Sequence, residues 1–177
     1  EFNKEGVCTG CQMAKVKESI SKTEWIRRKE ILIDLINKNK SKDGSRHDVV
    51  VAVSGGKDSY FQVHYLKEEL GLNPLLVTYD GNNWTEAGWR NLLNMRDAFG
   101  VDHIIIRPSV STLKKLNKLA FYIMGDMNWH AHVGIMTTPM REAANRSIPL
   151  VFYGEHGYLD LCGQFSMSDF PEVTYRD

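Results

Sequence analysis

The sequence predicts an α/β fold, a doubly wound and mostly parallel sheet with helices on both faces. Two observations predict it. Short apolar runs rich in β-branched residues, such as DVVVAV and LLVTY, lack polar alternation and indicate strands buried on both faces. Longer amphipathic segments separate these runs, and strands that alternate with helices form parallel sheets through right-handed crossovers. A chain of 177 residues with 42% apolar content can bury such a core.

The first strong helix signal precedes the first strand. Ser21 and Glu24 have the spacing of a capping box, in which each side chain bonds a free backbone N–H at the start of a helix. We expect the helix that begins there to turn one apolar stripe towards the core, consisting of Trp25, Leu32, Leu35 and Ile36. The loop SKDGSRH then leads into DVVVAV, the first strand.

Two helix–strand pairs follow the first strand. A helix from about residue 57 to residue 70 ends at Gly71, and LLVTY forms the second strand. A helix from about residue 86 to residue 99 ends at Gly100, and HIIIR forms the third strand. Glycine just beyond a helix is a common stop, because it adopts the left-handed conformation without a steric penalty.

The last predicted elements lead to a fourth strand. Ser111 is the expected cap of a helix that continues to Ile123. A helical stretch near residues 130–145 contains Pro139, which should kink or split it. PLVFY forms the fourth strand.

Glycine and polar residues follow each predicted strand. In open parallel sheets the ligand crevice lies beyond the carboxyl ends of the strands, so these residues should converge at one rim. Such a set suits a nucleotide with a divalent metal better than an apolar ligand. The residues are Ser54, Gly55, Gly56, Lys57, Asp58 and Ser59 after the first strand, Asp80 after the second, Arg107 after the third, and Gly154 and Glu155 after the fourth.

The loop after the first strand has the composition of a phosphate cradle. Gly55 and Gly56 allow backbone N–H groups to approach phosphate oxygens, and Lys57 adds a positive charge. The stretch matches neither a Walker A loop nor the G-x-G-x-x-G fingerprint. Asp58 would repel a bare phosphate, but it becomes useful beside Mg²⁺. The alternative is an ordinary tight turn capped by Asp58 and Ser59.

SGGKDS after a buried strand resembles the signature of the PP-loop ATP pyrophosphatases. The resemblance implies an adenine nucleotide alpha-hydrolase-like fold and a loop that binds the β,γ-pyrophosphate of ATP. It also implies that AMP is transferred to an oxygen of the substrate while pyrophosphate leaves.

FNKEGVCTGC, GDMNWHAHVGI and PLVFYGEH, together with SGGKDS, resemble the bacterial N-acetyl sugar amidotransferases of surface-polysaccharide (lipopolysaccharide) biosynthesis. This second resemblance implies an activated N-acetyl sugar as substrate, converted from acetamido to acetamidino with ammonia from a partner glutaminase. Family members are longer and carry another C-x-x-C upstream, so we expect this chain to lack that pair and a C-terminal part. The expected domains are residues 1–20, a partial zinc-binding segment or zinc-ribbon remnant, and residues 21–177, the PP-loop domain.

The resemblance assigns roles at the rim. Lys57, Asp58 and Glu155 are the expected catalytic residues, with Asp58 and Glu155 holding Mg²⁺. Asp80 would bind either ribose or metal. The backbone near Val53 and Tyr79 is the expected contact of the adenine ring. Arg107 either holds phosphate or forms an ordinary surface ion pair.

Two further groups of residues are weaker candidates. Cys8 and Cys11 are half of a tetrahedral zinc site, which the missing upstream pair would complete; otherwise they form a free dithiol. A polar and aromatic segment of the kind that lines sugar sites is the other group, and its alternative is a helix cap with packed side chains. Its residues are Asp126, Asn128, Trp129, His130 and His132.

Composition narrows the classes of partner and compartment. Lys plus Arg and Asp plus Glu both number 22, so no net charge attracts the chain to nucleic acid or to a membrane. Few cysteines, two of them in C-x-x-C, favour the cytoplasm. Two other functions stay open, an ATP-dependent tRNA thiolation enzyme of the same superfamily and a nucleotide-binding module without catalysis. The sequence does not predict the oligomeric state.

Overall fold

The structure is a computed structural model and describes residues 2–81 and 84–154. The chain divides into two compact units, with the boundary between Leu35 and Ile36. The described part of the first unit contains the first helix and most of the second, whose last turn belongs to the second unit. The second unit, Ile36–Gly154, contains the sheet and the remaining helices.

The N-terminal helices are α1, Thr9–Ser19, and α2, Lys22–Asn39. The Ser21 half of the predicted capping box is confirmed, since Oγ of Ser21 accepts a hydrogen bond from the backbone N–H of Glu24 at 3.1 Å. The Glu24 carboxylate accepts from Arg27 and Arg28 instead of from the backbone of Ser21. The predicted apolar stripe is confirmed for Ile36, which is buried. It is wrong for Trp25 and Leu35, which are about half exposed.

The second unit is built on a four-stranded parallel sheet, which confirms the predicted fold class; the strand order is β3-β2-β1-β4. Its central strands are buried because each is covered on both faces: three consecutive valines of β1 are at most 1% exposed. The register places Val50 beside Leu75 on one side and beside Val151 on the other. The strands are β1 Val49–Ala52, β2 Pro74–Tyr79, β3 Asp102–Ile106 and β4 Val151–Phe152.

Four helices connect these strands: α3 Lys57–His64, α4 Glu86–Phe99, α5 Val110–Met124 and α6 Trp129–Asn145. The chain moves from β1 to β3 through α3 and α4 and returns to β4 through α5 and α6. Right-handed crossovers therefore place the two pairs on opposite faces. One core layer joins α6 to the sheet through Val50, Leu75, Val77 and Ala143.

The structure corrects some details of the prediction. The helix that starts at Lys57 ends in a π-helical segment, Tyr65–Glu69. Ser109, not Ser111, caps α5, because Oγ of Ser109 accepts from the backbone N–H of Thr112 at 3.2 Å. Helix α6 runs unbroken through Pro139, so it is not split there.

The order in which strands are added to the sheet changes side at β1. The strands that follow β1 lie on one side of it, and β4 lies on the other. This is the topological switch point, where parallel α/β sheets bind their ligands beyond the carboxyl ends of the strands. In residues 2–81 and 84–154 we find no helix with the length and apolar character to cross a membrane.

Candidate functional site

The loop after β1 is shaped by one glycine that no other residue could replace without strain. Gly55 has φ +73°, in the left-handed region. A Cβ there would lie 2.8 Å from the backbone N and Cα of Leu92 in α4. Backbone atoms cannot move aside as the end of a side chain can, so both the conformation and the space require glycine. The chain can therefore turn sharply between β1 and α3.

The next residue leaves the start of α3 open. Gly56 occupies the N-cap with φ −77° and supplies no side chain to bond the first backbone N–H groups of the helix. The two serines of the loop are hydrogen-bonded to each other. Oγ of Ser59 accepts from the backbone N–H of Ser54 at 3.0 Å and lies 3.2 Å from Oγ of Ser54. The result is a fixed loop whose helix N-terminus is available to an anion.

Lys57 and Asp58 extend from this loop into solvent. Their side chains are 87% and 76% exposed, and Nζ of Lys57 lies 2.7 Å from the Asp58 carboxylate. An exposed pair of this kind is weak, so a phosphate could recruit the ammonium and a cation could recruit the carboxylate. Both groups are thus placed at the same helix N-terminus as the glycines.

The carboxyl ends of β2 and β3 carry a second polar cluster. Asp80 is buried, and its two oxygens accept hydrogen bonds at 2.6 Å each from Nε1 of Trp84 and from Nε of Arg107. The guanidinium of Arg107 also lies 4.7 Å from the ring centre of Trp89. The structure therefore gives Arg107 the ion pair that was one of its two expected roles, while 63% of its side chain stays exposed.

Val53, an expected adenine contact, already has partners for its main chain. Its N–H donates to the carbonyl of Val77 at 3.1 Å, and its carbonyl accepts from Oγ1 of Thr78 at 2.7 Å. Only the second lone pair of that carbonyl is left for a ligand. Thr78 has a single hydroxyl proton, so it accepts at 2.9 Å from Nε2 of His103. Burial lowers the pKa of His103 to about 4, which keeps the ring neutral.

Tyr79, the other expected adenine contact, joins the end of β2 to α6. A Cβ at Gly81 or at Gly134 would collide with the Tyr79 ring, so two glycines make room for it. The ring centre lies 6.5 Å from that of His130, in an edge-on arrangement. Burial, and then the negative charge of Asp80, raise the pKa of the Tyr79 hydroxyl. The N-terminal end of α6 is thereby held against the rim of the sheet.

The expected sugar-binding segment forms the start of α6. Asn128 is the N-cap, and its backbone N–H donates to Oδ1 of Asp126 at 2.8 Å. The other Asp126 oxygen lies 3.8 Å from Nδ1 of His132. His130 is buried, whereas Trp129 is 39% exposed. The structure thus places His130 at the rim beside Tyr79 and gives Asp126 the local role of bonding the cap residue.

Gly154 lies at the end of β4, in tight contact with the amide of Gln62 in α3. Oε1 of Gln62 is buried and has no hydrogen-bond partner in the described part of the chain. Sequence reasoning missed Gln62, Trp84 and Trp89, since nothing in their sequence context marks them. Glu155, the second expected magnesium ligand, lies outside the described residues.

Cys8 and Cys11 lie at the start of α1. Sγ of Cys8 caps the helix and accepts from the backbone N–H of Cys11 at 3.4 Å. This hydrogen bond lowers the pKa of the Cys8 thiol, while the neighbouring Cys8 side chain raises that of Cys11. Within residues 2–81 and 84–154, no three or more His, Cys, Asp or Glu side chains form a group that could hold a metal ion.

The chain is similar in sequence to a known protein over part of its length. No protein-family model matches it. An uncharacterised protein of Methanocaldococcus jannaschii is 32% identical over 115 residues, 63% of this chain and 39% of that protein. The chain therefore spans about two fifths of the length of this curated relative.

Two solved structures are similar in fold. The NH3-dependent NAD synthetase from Campylobacter jejuni subsp. jejuni is 20% identical with a TM-score of 0.55, over 81% of this chain and 62% of that one. The NMN synthetase from Francisella tularensis is 17% identical with a TM-score of 0.51, over 78% of this chain and 56% of that one. The protein has the α/β fold of the adenine nucleotide alpha-hydrolases, with the candidate loop at the switch point of its parallel sheet.

Proposed function

We propose that the protein is an ATP-dependent enzyme of the ATP pyrophosphatase type that transfers AMP to an oxygen of its substrate and releases pyrophosphate. One observation carries the proposal, the geometry of residues 54–59. Gly55 makes a left-handed turn against the backbone of Leu92, and Gly56 leaves the N-terminus of α3 without a side-chain cap. Such a turn at the switch point binds phosphate groups through backbone N–H groups.

The exposed Lys57 and the serine hydroxyls suit the loop to a leaving pyrophosphate. Lys57 can neutralise charge that develops as the bond to the α-phosphorus breaks, and Ser54 and Ser59 are held in place by their mutual hydrogen bonds. No nucleophilic side chain takes part in this scheme. The loop accelerates the reaction by positioning the leaving group and stabilising its charge.

Magnesium would be held by Asp58 and Glu155. The Asp58 carboxylate fits this role, because it is an exposed oxygen donor whose partner, Lys57, is an exposed and weakly held ammonium. When bound, the metal supplies positive charge next to the phosphates. Asp80 fits the role less well, since both of its oxygens accept hydrogen bonds from protein groups.

We further propose that the acceptor is the acetamido oxygen of an activated N-acetyl sugar. The oxygen attacks the α-phosphorus, the bond to pyrophosphate breaks, and an O-adenylyl imidate forms. Ammonia then attacks the imidate carbon and AMP leaves, which gives the acetamidino group. A partner glutaminase in the cytoplasm would supply ammonia. The sequence resemblance in GDMNWHAHVGI and the position of His130 at the rim support this acceptor.

The cysteine pair would contribute two ligands to a structural zinc site. The hydrogen bond from the Cys11 backbone N–H favours a thiolate at Cys8, the form that binds zinc. The two remaining ligands would come from outside the described residues.

The test is an assay with Mg·ATP, ammonium and a panel of nucleotide-activated acetamido sugars. We expect AMP and pyrophosphate that depend on the sugar, together with a product mass that matches the exchange of oxygen for NH. ADP and phosphate would refute the role of the loop. AMP release that responds to RNA and sulfide, and to no sugar, would favour tRNA thiolation instead. ATP binding without pyrophosphate release would favour a binding module.

A further inference from the structure

We propose that helix α5 is the interface through which two copies of this chain associate, with the two α5 helices crossing antiparallel. The interface is the solvent-facing side of α5, on which lysines precede aromatic residues along the chain. This inference goes beyond the proposed function and does not depend on it.

The second half of α5 exposes a patch of large apolar side chains. Neighbouring side chains there are between 56% and 75% exposed, namely those of Leu119, Phe121, Tyr122, Ile123 and Met124. Phe121 and Tyr122 contact each other edge-on, with ring centres 6.2 Å apart. Monomeric proteins rarely expose contiguous apolar patches larger than a few hundred Å². The patch therefore indicates a surface that another molecule covers.

The exposed area of this patch is close to what one partner contributes to a stable interface. Side chains of this size, exposed to this degree, leave on the order of 700 Å² in contact with solvent. A standard interface buries about 800 Å² on each partner. The apolar stems of the neighbouring lysines add to the area. Burial of the patch by a second copy would therefore support a specific association.

The first half of the same helix is cationic. Lys114, Lys115 and Lys118 are exposed, and α5 contains no Asp or Glu that could pair with them. Residues three or four positions apart lie on one side of a helix, so Lys118 shares the solvent-facing side with Phe121 and Tyr122. The solvent-facing side thus carries ammonium groups first and aromatic rings after them.

A second copy in antiparallel orientation matches both halves of this side. When two α5 helices cross near Leu119, Lys118 of each copy lies beside Phe121 and Tyr122 of the other. The contact occurs twice, because the two-fold axis repeats it. The electron-rich face of an aromatic ring attracts an ammonium group, so each contact is favourable. A parallel pair would instead place lysines beside lysines.

An anionic membrane is the main alternative occupant of the patch. The rings and the lysines share one side of α5, so a helix lying on a membrane would bring Lys118 towards the acyl chains together with Phe121 and Tyr122. The chain also has a formal net charge of zero, which gives it no overall attraction to anionic lipids. A second copy is therefore favoured, and binding to vesicles becomes an outcome of the test.

The position of α5 connects this interface to the candidate site. The helix follows β3 and leads into α6, whose His130 ring lies 6.5 Å from that of Tyr79 at the rim. Association through α5 would therefore hold the segment that joins the two helices next to the rim of each copy.

Sedimentation equilibrium of the full-length protein measures the association. We expect a monomer–dimer equilibrium with a dissociation constant on the order of 10 µM. Phe121→Ser should raise this constant about tenfold or more. Val110→Ser is the matched control, because Val110 is 67% exposed on the same helix but lies at its other end. Below the dissociation constant both variants should melt at the temperature of the unmodified protein, since both side chains are exposed.

A mixture of two variants tests the antiparallel arrangement. Lys118→Gln removes the ammonium group and Phe121→Ser removes a ring, so each homodimer has two weakened contacts. In the heterodimer of these variants, one of the two contacts keeps both Lys118 and Phe121. We therefore expect the heterodimer to be about fivefold tighter than either homodimer. A parallel pair gives no such gain.

Several results would overturn the interface. A chain that stays monomeric up to about 0.2 mM would do so, as would a dimer that Phe121→Ser leaves unchanged or that Val110→Ser weakens equally. A heterodimer no tighter than the homodimers would exclude the antiparallel crossing. Vesicles of phosphatidylcholine with about 30% phosphatidylglycerol test the membrane. Vesicle binding that Phe121→Ser abolishes, in a chain that stays monomeric, would assign the patch to a membrane instead.

Discussion

Nε of Arg107, at the end of β3, lies 2.6 Å from Oδ2 of Asp80, at the end of β2. The contact joins an exposed guanidinium to a buried carboxylate, and Trp84 bonds the other carboxylate oxygen. It ties together two neighbouring strand ends at the rim where ligands of this fold bind. Its strength can be measured directly.

We expect Asp80→Asn and Arg107→Gln each to lower the free energy of unfolding by about 1–2 kcal/mol. The loss should be moderate because the guanidinium faces solvent. The double variant should lose less than the sum of the single variants, since each single change already breaks the ion pair. Urea denaturation of all four proteins measures this difference. Strictly additive losses would show that the two groups are not coupled.

The two glycines of the loop should respond differently to alanine. Gly55→Ala places a Cβ against the backbone of Leu92 in a left-handed conformation, and we expect a loss of about 2–4 kcal/mol of stability. Gly56→Ala is the matched control, because its Cβ would meet only Oγ of Ser54 at 3.5 Å. Denaturation curves compare the two. Similar losses in both would contradict the geometry of the turn.

Lys57 should matter for the reaction and not for folding. Its side chain is exposed and its neighbour in space is Asp58, so Lys57→Ala should leave the melting temperature unchanged. Loss of charge at the leaving pyrophosphate should slow AMP formation by about 10²–10³-fold. Lys57→Arg keeps the charge and should recover part of the rate. A rate equal to that of the unmodified protein in Lys57→Ala would exclude Lys57 from the pyrophosphate site.

His103 should make stability depend on pH in the acidic range. Burial lowers the folded pKa to about 4 from the ordinary 6.5. Between these values the unfolded chain binds more protons than the folded one, so the unfolding free energy falls as the pH decreases from 6.5 to 4. The decrease should be on the order of 1 kcal/mol, since the ring is partly exposed.

His103→Gln isolates this contribution, because the other titrating groups are the same in both proteins. Its amide can still donate to Thr78, but it does not titrate. Denaturation curves are measured at about pH 4.5, 5.5, 6.5 and 7.5. On acidification the variant should lose less unfolding free energy than the unmodified protein. Identical pH profiles would mean that folding does not change the pKa of His103.

The strands and the loop could be predicted from sequence because their causes are local. Buried parallel strands lack alternation, as in β1 and β2, and SGGKDS follows β1 directly. The Asp80–Arg107 pair could not be predicted, because it depends on β2 and β3 being neighbours. The predicted start of α5 is two residues late, since Ser109 and Ser111 are both good caps and only the backbone shows which one is used.

The prediction that the apolar stripe of α2 packs into the core is the clearest error. An amphipathic pattern predicts that a helix has an apolar stripe, but it does not identify what covers that stripe. Trp25 and Leu35 are on such a stripe and are exposed in the described part of the chain.

The strand order also determines when the crevice can form during folding. Strands β1, β2 and β3 follow one another along the chain and pair as neighbours, so short loop closures bring them together. Strand β4 pairs with β1, with Val50 beside Val151, although most of the sequence of the second unit separates the two strands. Contacts between distant residues form slowly, because their loop entropy is lost before they contribute stability. We therefore expect β1–β3 to assemble early and the β1–β4 crevice to close last, so that the proposed nucleotide site is complete only in the fully folded sheet.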